Sequence, residues 1–237
     1  MSPTSPPCIS LCSDAQATSG ALRKRGDGNA DISEEVAWTA ELQGAQDAKA
    51  AVRFFRDPAA AKLYGIDSAK IFLGGISAGA FVSGMAVYLD DLSKADAALK
   101  KIIAANGGLE GKSGNPGNDS SVSAWVCLSG GLNDKTWITT SSPALLGVYG
   151  TADDLVPAGD GTGPAGDPVS GAVSLYDQAK SVGLPTSQLY AVEGGGHADY
   201  FDRPDVINSI VQFITPGAPP VTTTSNPSSQ GPPPRLL

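Results

Sequence analysis

The sequence predicts an α/β fold, a mostly parallel β-sheet with helices packed on both faces. Three observations carry that expectation. Solid apolar runs recur at residues 70–74, 123–128 and 144–149, with a weaker one at 187–192. Segments with apolar residues three and four apart lie before and between those runs. Gly/Ser/Asp/Pro clusters separate the two kinds of segment. Strands alternating with helices make βαβ units, whose crossovers cover both faces of a parallel sheet. Strands buried on both faces read as continuous apolar runs.

Taken in order, residues 1–33 are rich in Ser, Pro, Gly, Asp and Ala, have no steady period and are read as mostly irregular. From Ala40 the apolar stripe Leu42, Ala45, Ala48, Val52, Phe55 predicts a helix. Pro58 interrupts it, and a second short piece runs to Tyr64. The strand at 70–74 leads through a Gly/Ser turn into a small-residue helix from Ala78 to about Leu89. Residues 93–104 read as helix, and 107–121 as loop. After the next two strands, the Gly/Pro-rich stretch 157–168 reads as loop, followed by a helix at about 169–182. The strand at 187–192 and a helix from about Pro204 to Ile214 complete a domain spanning 34–215. Residues 216–237, rich in Pro, Thr and Ser, are too poor in apolar groups to pack and read as a disordered tail.

Composition narrows the function. The 237 residues suit one domain plus tails. With a net charge of -8 and no basic cluster, the chain repels phosphate backbones, so nucleic acid is not an expected partner. No run is long and apolar enough to span a bilayer. Residues 1–16 lack a basic segment followed by an apolar core, so no signal peptide is read there. Three cysteines without regular spacing do not form a disulfide framework, and Cys127, inside an apolar run, reads as a buried apolar side chain.

The chemistry gathers around Gly75-Ile76-Ser77-Ala78-Gly79. A G-x-S-x-G pentapeptide is weak by itself, but here a strand precedes it and a helix follows. That is the setting of a nucleophile elbow, in which a sharp turn exposes the serine hydroxyl. Gly75 and Gly79 keep side chains out of the crowded turn. Ala78, opening the helix, turns its N–H toward a developing oxyanion. A serine needs a base. His197, the sole histidine, lies in Glu193-Gly-Gly-Gly-His197, directly after the strand at 187–192. The base needs an orienting carboxylate, and Asp153 and Asp154 both qualify by position after the strand at 144–149. The chain order nucleophile, acid, histidine is that of α/β-hydrolases.

With these residues in view, the sequence resembles the α/β-hydrolase carboxylesterases and lipases of the esterase and feruloyl-esterase-like type, over about residues 46–213. The resemblance rests on DAKAAVRFFR, YGIDSAKIFLGGISAGA, SGNPGNDS with the following strand and SGG, GTADDLVP, and GGGH. It implies a three-layer α/β-hydrolase-type sandwich and selects Asp153 as the acid of a Ser77–Asp153–His197 triad. It also implies cleavage of a small-molecule or lipid carboxylic ester through an acyl-enzyme, with no cofactor. The family pattern has several strands and often a His-Gly-Gly oxyanion loop before the segment beginning near Gln46. The roughly 40 residues here leave no room for them, so the expectation is an N-terminally incomplete domain. The strand at 70–74 then becomes an exposed apolar edge open to self-association, unless Cys8-Ile9-Ser10-Leu11-Cys12 covers it. The loops at 106–121 and 157–168 are expected on the pocket rim. The tail resembles linkers of exported enzymes.

Other patterns in the sequence match less well. Residues 106–113 approach a P-loop pattern, but Asn106 stands at the first glycine and no helix follows Ser113. Asp27-Gly28-Asn29-Ala30-Asp31 begins like a calcium loop, yet Ile32 and Trp38 stand where Gly and Glu belong, and no residue set suits zinc; no metal is expected. The remaining alternative is a non-catalytic hydrolase-like protein.

Overall fold

The computed structural model describes residues 34–163, 166–197 and 199–219 together with the backbone of residues 8–12. The rest of the 1–33 segment, including the calcium-loop-like stretch, and the tail from residue 220 lie outside the described residues.

The elements in order are β1 (Cys8–Cys12), α1 (Glu34–Arg56), α2 (Pro58–Tyr64), β2 (Ile71–Ile76), α3 (Ala78–Tyr88), α4 (Ala97–Ala105), β3 (Ala124–Leu128) and β4 (Gly131–Leu132). They continue with β5 (Ala144–Gly150), β6 (Asp160–Thr162), β7 (Pro168–Gly171), α5 (Ala172–Ser181), β8 (Gln188–Val192) and α6 (Pro204–Ile214). Among the described residues the main sheet has five strands in the order β1-β2-β3-β5-β8, and every pairing in it is parallel. The expected three-layer arrangement is present. Leu42, Val52, Met85, Ile103 and Leu175 pack on one face against Ile71, Leu73, Trp125, Cys127 and Leu145. Val206, Phe213 and Ile214 of α6 cover the other face against Phe72, Val126, Leu146 and Val148. β2 and β3 are thus buried on both sides, which is why they read as solid apolar runs.

Several boundaries differ from the sequence reading for identifiable reasons. The segment at 93–104 is two elements, a 3-10 turn at Leu92–Lys94 and then α4. Asp91 accepts a hydrogen bond from Ser93 N–H at 2.6 Å and Asp96 one from Leu99 N–H at 2.7 Å, so each Asp starts a turn of its own. Residues 157–168 are not wholly loop. β6 and β7 pair antiparallel, and β7 pairs antiparallel with β4 to make a second, three-stranded sheet. Residues 169–171, expected to begin a helix, belong to β7, and α5 begins at Ala172. Strands this short, with Gly and Asp in them, carry no periodic signal.

One open alternative is decided and one placement is corrected. β2 is not an open edge. Cys8 to Cys12 pair in parallel register with Ile71 to Gly75, so a strand lies within the segment read as mostly irregular and the sheet edge passes to β1. The loop at 106–121 is not on the rim that bears Ser77. It leads into the start of β3, where Ser123 N–H donates to Ile71 O at 2.7 Å, at the opposite end of the sheet. It is fastened there along α1. Gln46 Nε2 donates to Asn106 O and Gly108 O, Lys49 and Arg53 bind Glu110 at 2.9 and 2.6 Å, and Arg53 also reaches Ser113 O and Gly114 O. The near-P-loop residues are therefore spent on structural contacts, and no helix follows Ser113.

Candidate active site

Ser77, Asp153 and His197 follow β2, β5 and β8 respectively, all at the carboxyl ends of parallel strands. Pleated parallel strands ending on one rim bring residues far apart in sequence within hydrogen-bond range. Ser77 Oγ lies 2.7 Å from His197 Nε2, and His197 Nδ1 lies 2.9 Å from Asp153 Oδ2. With the imidazole proton on Nδ1 and donated to Asp153, Nε2 is left to accept from the Ser77 hydroxyl.

Ser77 stands at φ 52°, ψ -124°, a left-handed backbone conformation that costs a non-glycine residue about 1–3 kcal/mol. The turn is held because Ser77 N–H donates to Leu128 O at 2.9 Å and Ser77 O accepts from Ala80 N–H. The strand and the helix meet so closely that a Cβ on Gly75 would lie 2.0 Å from the carbonyl oxygen of Gly79, so Gly75 admits no side chain. Ala78 opens α3, and its amide is among the first-turn N–H groups that a helix does not bond internally.

Asp153 and Asp154 separate in the structure. The Asp153 side chain is 2% exposed and faces His197, whereas Asp154 is exposed. Burial works to raise the Asp153 carboxyl, but hydrogen bonds from Val156 N–H, His197 and Leu155 N–H outweigh it, and the group lies below its ordinary value. It remains an anion able to hold an imidazolium. The same amide bonds, 2.9 Å from Leu155 and 3.0 Å from Val156, fix its rotamer.

The His197 loop is tied to the end of β5. Thr151 N–H donates to Val192 O, Ala152 N–H to Gly195 O at 2.9 Å, and Gly194 N–H to Thr151 Oγ1 at 2.8 Å. A Cβ on Gly150 would sit 2.2 Å from Gly195 O, so the glycine in Tyr149-Gly150-Thr151 exists for this contact. Sequence reasoning did not single out Gly150 or Thr151. Their role depends on a loop some 40 residues away, and only the Gly-Gly-Gly preceding His197 hinted that backbone was to pack on backbone.

A cleft of about 700 Å³ lies beside α1 and α4, lined in part by Trp38, Leu99, Asn133 and Trp137, and does not include the Ser77 group. Elsewhere, burial raises Glu41 of α1 from 4.5 to about 8, with the Asp167 charge adding to it, and burial pushes the Cys127 thiol up to about 12. Cys127 is a free, buried thiol.

Comparison with known proteins agrees with this architecture. The BD-FAE family model matches residues 30–112, which include Ser77. A structure described as a truncated form of a carbohydrate esterase from gut microbiota superposes with a TM-score of 0.58 at 20% identity, covering 90% of this chain and 86% of the other. Butyrate-bound esterase 2 of the planctomycete Thermogutta terrifontis gives 0.43 at 20% identity, covering 72% of this chain. This chain spans 61% of that esterase's length. No curated protein matches. The fold is of the α/β-hydrolase type.

Proposed function

We propose that this chain is a serine hydrolase that cleaves carboxylic esters through an acyl-enzyme. One observation carries the reading: a single imidazole bonds Ser77 Oγ through Nε2 at 2.7 Å and Asp153 through Nδ1 at 2.9 Å. In this reading His197 Nε2 takes the Ser77 proton as Oγ attacks the ester carbonyl carbon. Asp153 stabilises the imidazolium and holds its tautomer. The Ala78 amide, at the positive end of α3, stabilises the oxyanion. The imidazolium then protonates the departing alcohol. Water, deprotonated by His197, attacks the Ser77 ester and releases the acid. The carbohydrate-esterase description of the 0.58 neighbour makes an ester carried on a sugar a reasonable substrate to try beside simple esters.

The test is hydrolysis of p-nitrophenyl acetate and butyrate by the purified chain, with Ser77→Ala alongside. Saturable turnover that disappears in Ser77→Ala is the expected result. Equal rates in the two proteins, or no turnover by a folded monomer, overturn the reading and leave a non-catalytic hydrolase fold.

A further inference from the structure

Tyr200, three residues beyond His197, belongs to no part of the mechanism above, yet it is 1% exposed and its phenol is bonded to Ser129 and Val148. Its hydroxyl bonds Ser129 Oγ and also donates to Val148 O at 3.4 Å. One partner directly follows β3 and the other lies in the carboxyl-terminal half of β5. Ser129 directly follows Leu128, whose carbonyl accepts the Ser77 N–H at 2.9 Å. Val148 lies on β5, five residues before Asp153, and its carbonyl accepts from Ser129 N–H as well. The ring also packs against the His197 loop, since a Cβ on Gly195 would lie 3.1 Å from Tyr200 Cδ1. Upstream of His197, Gly194 and Gly195 are tied to the β5 turn. Tyr200 ties the downstream side.

Ser129 supplies an independent sign. It sits at φ 45°, where a glycine would be at ease and a serine is strained by about 1–3 kcal/mol. Glycines fill the next two positions, so the strain is specific to Ser129, and what the side chain gains there is the bond to the Tyr200 phenol. Burial pushes that phenol up to about 12, so it stays neutral and able to donate.

We infer that Tyr200, through Ser129, is a positioning residue for the proposed hydrolysis: its phenol locks the ends of β3 and β5 to the His197 loop and so sets the alignment of Ser77, His197 and Asp153. The inference rests on the esterase reading for its kinetic consequence, but the lock itself is tested without turnover.

Tyr200→Phe removes only the hydroxyl. Ser129→Gly removes the partner hydroxyl and relieves the backbone strain. In each, kcat toward p-nitrophenyl butyrate is expected to fall about tenfold with KM within twofold. The double variant should cost no more than either alone, because one interaction is lost in all three. Ser129→Gly should melt no lower than the parent, which separates alignment from stability. The downfield proton resonance of the His197 Nδ1–H···Asp153 bond should shift or broaden in both. If the parent has no turnover, the esterase reading fails while this resonance still tests the lock. An unchanged resonance in both folded variants, or kcat within twofold of an active parent, overturns the inference.

Discussion

The two rims of the sheet are held together in opposite ways. At the amino-terminal rim, α1 sends Gln46, Lys49 and Arg53 into the 106–114 loop, and their long donors bind carbonyl oxygens and the Glu110 carboxylate. That network places long side-chain donors on acceptors of a loop whose positive-φ positions are glycines, Gly107, Gly108 and Gly111. At the carboxyl-terminal rim, loops meet backbone to backbone through glycines, two serines stand at positive φ, and the ring of His197 bridges a hydroxyl and a carboxylate. The comparison teaches where strain is tolerated. The first rim fills its positive φ positions with glycines and Asn115, which tolerate them, and fixes the loop with polar side chains, whereas the second puts Ser77 and Ser129 at positive φ to bring a hydroxyl, an imidazole and a carboxylate into line.

That contrast gives outcomes that can break it. The largest effects belong to the triad. Ser77→Ala, His197→Ala and Asp153→Asn should each lower kcat by ~1000-fold or more while denaturant unfolding stays cooperative. A ten-fold loss or less in Asp153→Asn, measured with p-nitrophenyl butyrate, would remove the carboxylate from the mechanism. Next is Gly150→Ala. Its methyl must push the Gly195 carbonyl away, and a displacement of the His197 loop by about 1 Å costs on the order of 100-fold in kcat. Wild-type turnover in that variant would mean the loop is not seated on β5. At the other rim, Arg53→Met should cost about 2–3 kcal/mol in urea unfolding, because it leaves loop carbonyls without their donor. Its kcat per folded molecule should be unchanged; a change above about threefold would couple the two rims.

The last effect is confined to the pH dependence of stability and concerns Glu41. Because its carboxyl is raised from 4.5 to about 8, the folded protein keeps a proton that the unfolded chain has lost across that window. Unfolding then releases a proton, so this group makes stability fall as pH rises from about 4.5 to about 8. Glu41→Gln should flatten that part of the stability–pH curve without altering the triad. An identical slope in Glu41→Gln would place the carboxyl in water.

Much of this was legible in the sequence because it is local. The apolar runs of β2, β3 and β5 are short and bounded by turn residues, and the α1 stripe recurs at three and four residues, so each reads as one element from its own neighbours. Gly75-Ile76-Ser77-Ala78-Gly79 fixes a strand–turn–helix, since Gly75 faces the Gly79 carbonyl within the same few residues. The Gly/Pro-rich stretch holding β6 and β7 misled, because strands of three and four residues are made by their partners and not by their own pattern. The rim assignment of the 106–121 loop failed for a related reason. A loop's end of the sheet is set by the direction of the strand it feeds, and this one enters β3 at its start. The cover over β2 was visible only as five apolar-leaning residues in an irregular segment, until the register with Ile71 to Gly75 gave it a place. By itself, then, the sequence determined the helices and inner strands of the main sheet, the parallel α/β class and a Ser, an Asp and a His each placed just after a strand, because those depend on neighbours along the chain. Tertiary structure decided that Gly150 must lack a side chain and that Tyr200 reaches Ser129, because each depends on atoms 40 or more residues away brought to one rim by parallel strands.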